Sequence, residues 1–436
     1  KLDKIKNPIK FGKTEDGNSV SDYDPEEIRR GQSIYTSVIP VEWKDCKINF
    51  IDTPGYLDYE GEMRAGLTVA DNALIVVGAK EGVESGTEKA WKAVSSRQIP
   101  TIFFINKIDE DNASFADAYD QIREKFGKSV IAFETPIVEN GKVVGSVNVL
   151  RKKAWYYNDR STPKEVPADM TDLVNEYYDQ IIEAIAMGDD ELMEKYFEGE
   201  EFDEHDLARG LRLGVRSGEI RPVYCGAARA CTGIERLLDL ITEYFPSYAE
   251  KGTVEALDSN NKPVVMMTNE SEDFSALVYK TIVDPFVGKI SFLKVMTGVL
   301  SADAQVYNVQ KEEVERLQQI YIMKGKVQVA VGKLFTGDIG AVVKLQYTET
   351  NDTLATKARP VHYAPINTPK PMLGVAIWPK TKADEDKLSF GLNKILEEDL
   401  SLKLVKNVET KGTVLYVLPR GVLCVLNTDE KPHKKK

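Results

Sequence analysis

Three short apolar runs stand out in the first third of the chain. They are Lys47-Ile-Asn-Phe-Ile51, Asn72-Ala-Leu-Ile-Val-Val77 and Thr101-Ile-Phe-Phe-Ile105. Runs of this length that are largely apolar predict buried parallel strands. Between the last two, residues 84–97 place Ala90, Trp91 and Val94 at helical spacing. Strand alternating with helix predicts an α/β layer with helices on both faces of a parallel sheet. From 169 to 216 the pattern turns helical and heavily charged, and residues 222–226 return to a strand. Residues 234–245 then read as an amphipathic helix, stopped by Pro246.

The texture changes near residue 250. Residues 275–283 and 289–295 are short strands with turn signals between them, Asp284-Pro285 and Val287-Gly288. Further strands follow at regular spacing up to 340–345, which predicts a β-barrel over residues 255–356. A linker punctuated by Pro360, Pro365, Pro369 and Pro371 leads to a third unit at 368–418. There the pattern predicts a strand at 373–378, a helix at 382–398 and strands near 402–408 and 413–418. Residues 419–436, ending His433-Lys-Lys-Lys436, read as a solvated tail.

Composition narrows the function classes. Hydrophobic residues make up 42% and charged residues 29%, which excludes wholesale disorder. A net charge of −12 argues against gripping nucleic acid over the whole surface, while leaving room for local basic patches. The longest apolar runs, such as 72–79, are too short to span a bilayer, so no membrane association is expected. The opening Lys-Leu-Asp-Lys-Ile-Lys has no apolar core of the secretory kind. Cys46, Cys225, Cys231 and Cys424 show neither metal-like spacing nor a disulfide framework, in keeping with a reducing cytoplasm. The chain starts at Lys1 rather than Met, and is read as a piece of a longer protein.

Two polar tetrads follow directly from predicted strands: Asp52-Thr53-Pro54-Gly55 and Asn106-Lys107-Ile108-Asp109. In open α/β sheets, ligands bind at the carboxyl ends of strands. The chemistry fits guanine nucleotide. A carboxylate at Asp109 can accept both hydrogens from guanine N1 and N2, which adenine does not offer; Asn106 can bond the purine edge or a neighbouring loop, and the Lys107 stem can cover the base face. Gly55 lets a backbone N–H approach a γ-phosphate, and Asp52 can hold Mg²⁺ through water. Either tetrad alone is weak evidence, since a strand-ending Asp-x-Pro-Gly is often only a turn. The two together, in this order and with strand and helix between them, carry the signal.

At this point the chain resembles a translational GTPase of the elongation factor G family. Asp52–Gly55 is similar to the family's third guanine-nucleotide motif and Asn106–Asp109 to its fourth, while Gly226-Ala227-Ala228 stands where the fifth touches guanine O6. Arg29-Arg30-Gly31-Gln32-Ser33-Ile34 resembles switch I (about 24–36), with Ser33 at the magnesium-contacting position beside Asp52. Asp284-Pro-Phe-Val-Gly288 and Gly337-Asp-Ile-Gly-Ala341 resemble the family's barrel domain; Pro379-Lys-Thr-Lys-Ala-Asp384 with Leu396-Glu-Glu-Asp399 resembles its third. Residues 15–27 look most like the bacterial elongation-factor-G-like paralogues. The resemblance implies a P-loop-NTPase-like α/β G domain over 1–250, with an insert at about 135–221. A β-barrel and a partial ferredoxin-like α+β domain would follow. It also implies GTP/GDP and Mg²⁺ as cofactors, the ribosome, both RNA and proteins, as partner, and a cytoplasmic monomer.

Four departures qualify what the resemblance implies. Asn7-Pro-Ile-Lys-Phe-Gly12-Lys13-Thr14 is a near miss to the phosphate loop, followed by a turn sequence where a helix belongs, so the working loop is expected upstream of residue 1. Tyr56 stands where the family has the His that orients the attacking water, and a phenol does not become a cation near neutral pH. His205, His362 and His433 lie elsewhere in sequence and read as surface or cap residues. Residues 418–428 do not continue the third domain as the family does, and the two distal domains do not follow. GTP hydrolysis is therefore the doubtful step. Two alternatives stay open: a non-catalytic ribosome- or partner-binding module, and a ribosomal protection protein.

Overall fold

The structure, a computed structural model, describes residues 12–406 apart from 285 and 380, together with 412–418. The tail expected at 419–436, with Cys424 and His433, lies outside the described residues, as does the Asn7 end of the near-miss phosphate loop. The chain divides into two units. One is formed by residues 43–46 and 71–247, the other by residues up to 42, 47–70 and those from 248 onward.

The first of these is built on a parallel sheet. Its strands lie in the order Ala73–Gly78, Thr101–Asn106, Arg221–Cys225, Val130–Ala132. Thr101–Asn106 is flanked on both sides, and Ile102 through Ile105 are almost completely buried, which is why this run shows no polar alternation. Helices Ser85–Ser95, Phe115–Phe126 and Ile234–Tyr244 complete the same core. Phe103 stacks against Phe126, and both meet Trp91.

A four-stranded antiparallel meander follows the last sheet strand: Glu134–Glu139, Lys142–Asn148, Lys153–Tyr156 and Asp159–Lys164. Its first turn is Asn140-Gly141 with both residues at positive φ, the pairing that a two-residue hairpin requires. Three helices come next. Two of them, Asp190–Glu198 and Glu204–Ser217, are capped by the side chains of Asp189 and Asp203. Gly210 and Gly214 let the last helix lie close to its neighbours, since a Cβ at either would fall 2.3 Å from Ile185 or 2.5 Å from Ile220.

The second unit carries most of the antiparallel structure. An eight-stranded sheet has Ser275–Asp284 and Gly288–Thr297 at its centre, with Thr353–Ala355 and Ile339–Val343 as their outer neighbours. Both faces of the central pair are covered. Ala276, Val278, Leu293 and Val295 enter one apolar cluster, while Leu277, Tyr279, Ile290 and Phe292 enter another. A smaller sheet orders Leu373–Ile377, Thr413–Val417, Lys403–Lys406, with helix Glu385–Glu398 packing Leu392 against Leu415 and Val417.

One expected strand takes a different place. The run at 47–51 lies in Cys46–Asp52, which among the described residues pairs with Ser37–Trp43 alone, as a two-stranded hairpin, and its residues are half-buried at most. The turn between them, Lys44-Asp45, has both residues at positive φ without a glycine to announce it. Ile48, Phe50 and Ile51 therefore serve a hairpin rather than the parallel sheet.

Candidate nucleotide site

The tetrad at 106–109 leaves the carboxyl end of the central parallel strand. Asn106 closes strand Thr101–Asn106, and Lys107 takes the left-handed conformation (φ 62°), turning the chain sharply. The neighbouring strand Arg221–Cys225 ends at Gly226-Ala227-Ala228. The two loops are laced together by the backbone: Gly226 N–H donates to Ile105 O at 3.0 Å, and Ile108 N–H to Gly226 O at 3.3 Å. The Asn106 side-chain oxygen accepts Ala228 N–H at 2.9 Å, which leaves its NH₂ group as the donor for other partners.

Gly226 must be glycine. A Cβ there would lie 2.4 Å from Thr232 O and 2.7 Å from Phe104. Ala227 exchanges both backbone bonds with Thr232 at 3.0 Å, closing the loop beyond it. Asp109 is exposed, and no hydrogen bond or ion pair holds its carboxylate among the described residues. Lys107 is exposed too, 3.7 Å from Glu81 and 3.8 Å from Glu110, contacts that leave its stem movable. The arrangement is a fixed backbone frame with an open carboxylate and an open cationic stem at its rim, which is what the edge and face of a guanine need.

The other sequence-predicted residues lie in the second unit. Asp52 ends strand Cys46–Asp52, Pro54 is buried, Thr53 is half-buried, and Gly55 and Tyr56 are exposed, Tyr56 by 58%. Among the described residues, no atom lies within 4 Å of where a Cβ on Gly55 would stand. Ser33 donates its hydroxyl to Asp22 Oδ1 at 2.8 Å. Protein packed around the Asp52 carboxyl raises its pKa although the residue keeps an open surface. A hydrogen bond from Ser21 opposes the shift and the charge of Asp22 adds to it. Ser33 and Asp52 are thus joined through Ser21 and Asp22, two neighbours the sequence reading passed over.

Glu27 is the second omission. It is 1% exposed and accepts three backbone N–H groups, from Ile34 and Tyr35 at 2.9 Å each and Asp24 at 3.1 Å. Burial raises its pKa while these bonds lower it, with the net direction upward. The only local sign of it was Asp24-Pro-Glu-Glu27, a capping box opening the short helix Pro25–Arg30. Gly12-Lys13-Thr14 enters a three-residue 3-10 turn that ends at Gly17 (φ 62°), and the next helix starts only at Pro25. That segment offers no helix N-terminus to a phosphate. His205 lies among Asp203 and Asp206, but Asp203 caps its helix and Asp206 pairs with Lys195 at 2.9 Å, so the group has structural work.

Fold and loops together define a class. The elongation factor Tu GTP binding domain family matches residues 3–247, elongation factor G domain 2 matches 273–357, and elongation factor G domain III matches 368–418. The chain belongs to the elongation factor G family. It is 33% identical over 410 residues to elongation factor G of Ureaplasma urealyticum and, over the same length, 33% identical to that of Mycoplasma genitalium. Each alignment covers 93% of this chain and 60% of the relative, so the chain spans about three-fifths of the length of these curated relatives. A crystal structure of a Thermus thermophilus protein matches with a TM-score of 0.84 and 30% identity, over 95% of this chain and 60% of that one.

Proposed function

We propose that this protein binds guanine nucleotide and acts on the ribosome as a translation factor of the elongation factor G type. The observation that carries the reading is the pair of laced loops: Asn106 tied to Ala228, with the Asp109 carboxylate left open beside them. In this reading Asp109 accepts the N1 and N2 hydrogens of guanine, Asn106 fixes the loop against Ala228, and Lys107 lies along the base. We assign residues 1–250 to the nucleotide-binding domain, 135–221 to its insert, 255–356 to a barrel and 368–418 to a third domain. The protein works as a cytoplasmic monomer.

The oxygen donors of Asp22, Asp52, Ser21 and Ser33 suit a small, hard cation. Asp52 and Ser33 would hold Mg²⁺, which when bound supplies positive charge to phosphate oxygens. Ser33 must then release Asp22, and the open space at Gly55 receives the terminal phosphate against its backbone N–H.

Hydrolysis is the weak step. Tyr56 presents an exposed phenol where the family has an imidazole, and loss of a positioned acid–base group costs about 10²–10⁴-fold in rate. Residues 12–17 add little phosphate affinity of their own. The turn at 14–16 supplies no set of phosphate-facing N–H groups, and charge-assisted bonds are worth about 1.5–3 kcal/mol each. Together the turn and Tyr56 favour a second reading, a ribosome- or partner-binding module that binds nucleotide without turning it over. Titration with GDP followed by amide NMR tests the main reading. Shifts at 106–109 and 226–228, at millimolar GDP and not with ADP, are expected; equal shifts with both nucleotides would end it.

A further inference from the structure

Lysine is seldom fully buried unless it is paired. Two lysines of the eight-stranded sheet are: Lys280, 4% exposed, and Lys294, 2% exposed. They lie on the paired central strands Ser275–Asp284 and Gly288–Thr297, and both reach one helix, Glu60–Val69, which follows Tyr56 after a single 3-10 turn. Lys280 Nζ lies 2.7 Å from Glu62 Oε2, in the first turn of that helix. It also donates to Thr36 O at 3.0 Å, while Thr36 N–H donates to Glu62 Oε2 at 2.6 Å and the Thr36 hydroxyl to Glu62 O at 2.9 Å. Lys294 Nζ donates to the carbonyl of Val69, the last residue of the helix, at 2.9 Å, and sits 4.1 Å from the Tyr248 ring centre.

The sheet is shaped to do this. Pairing steps from Val278 opposite Leu293 to Lys280 opposite Phe292, so Tyr279 is an extra residue in the strand. A bulge of this kind turns two successive side chains toward one side. Tyr279 joins Ala65 and Val69 of the helix in one apolar cluster, and Lys280, which strict alternation would send away, reaches Glu62 on the same helix. Each end of the helix also favours the charge it meets: an acid in the first turn, a cation on the last carbonyl.

We infer that Lys280 and Lys294 are positioning residues for the phosphate-sensing segment 52–56. They fasten the two ends of helix Glu60–Val69 to the sheet and make helix and sheet one body. Sliding the helix would leave a buried charge unpaired, so movement of segment 52–56 is confined to the residues before the helix or carries the sheet along. Through Thr36, Lys280 fastens the end of the Ser33 segment to the same point. The inference rests on the guanine-nucleotide reading for the meaning of segment 52–56, but not for the attachment itself.

The test is amide hydrogen exchange on the full chain, comparing wild type with Lys280→Met, Lys294→Met, the double variant and Lys280→Arg. Lys280→Met is expected to speed exchange about tenfold at residues 34–38 and in the first helical turn, and Lys294→Met to do so in the last turn. Exchange in the strands at 320–331 should not change, and Lys280→Arg should restore protection. The single variants keep the result readable should the double variant fail to fold. Unchanged helix exchange in both, or uniform loosening of sheet and helix alike, would overturn the proposal. A second readout is the ratio of GTP to GDP affinity, expected to move toward one in either Met variant and to stay put if the lysines only fill space. If the wild type binds neither nucleotide, the functional reading fails and the end-specific exchange pattern alone decides the attachment.

Discussion

The loops at Asn106 and Gly226 and the segments at Ser33 and Asp52 are held by different physics. Around Asn106 the bonds run mostly from backbone to backbone between parallel strands, and the side chains that would meet a base hang free at the rim. Around Ser33 and Asp52 the frame is made of side-chain charges: Glu27 on three N–H groups, Asp22 on Ser33, Glu62 between Thr36 and Lys280. A backbone frame survives most substitutions and does not titrate. A frame of carboxylates and buried ammonium groups fails when one member is removed. In the proposed reading, recognition that must stay constant sits on the first kind, and a segment that must change state on the second.

The comparison breaks most visibly at Lys280. Replacing it with Met leaves Glu62 half-enclosed without its cation, and should cost the second unit about 3–5 kcal/mol in urea melts. Adding Glu62→Gln should return part of that. A cost below about 1 kcal/mol would mean the charged frame is ornamental.

Glu134 is a titrating group whose charge acts on Cys225, next to the backbone frame. Glu134 is 1% exposed, accepts a hydrogen bond from Ser146, and has its other oxygen without a partner among the described residues. Burial pushes its pKa up to about 7 from 4.5, against the Ser146 bond and the charge of Arg236. Between those values the folded chain holds more protons than the unfolded one, so this group's contribution to stability falls as pH rises from about 4.5 to 7 and is flat above. Glu134→Gln should remove that slope and add up to about 3 kcal/mol at pH 8. Equal pH slopes in variant and wild type would contradict the assignment.

A smaller effect is expected at Gly226. Alanine there must push against the Thr232 carbonyl and Phe104, costing about 1–3 kcal/mol in melts. The same variant should lose the Asn106–Ala228 bond, visible as altered amide shifts at 106–109. Wild-type shifts would show the frame to be softer than the contacts imply.

How much of this was legible in the sequence follows from range. The strands Ala73–Gly78 and Thr101–Asn106 and the helix Glu385–Glu398 were visible because apolar period and burial coincide locally. Asn106 and Asp109 were visible because a polar tetrad interrupts an apolar strand end. The placement of residues 47–51 was not, since Lys44-Asp45 adopts a hairpin turn without the glycine that usually marks one. Asp22, Glu27 and Lys280 were not either. Asp22 and Glu27 lay within the stretch 15–27 and Lys280 within the strand at 275–283, with no local pattern marking them, because their partners stand 7 to 244 residues away.

The central claim is that Asp109 reads guanine. It is tested most directly by measuring GDP and XDP dissociation constants side by side, by NMR titration, for wild type and Asp109→Asn. Asparagine presents an N–H₂ that the xanthine O2 accepts, in place of a carboxylate paired with two guanine hydrogens. Loss of that charged pair costs about 3 kcal/mol. The account predicts that GDP binding weakens by roughly a hundredfold or more while XDP becomes the preferred ligand. An Asp109→Asn chain that binds GDP as the wild type does would contradict it.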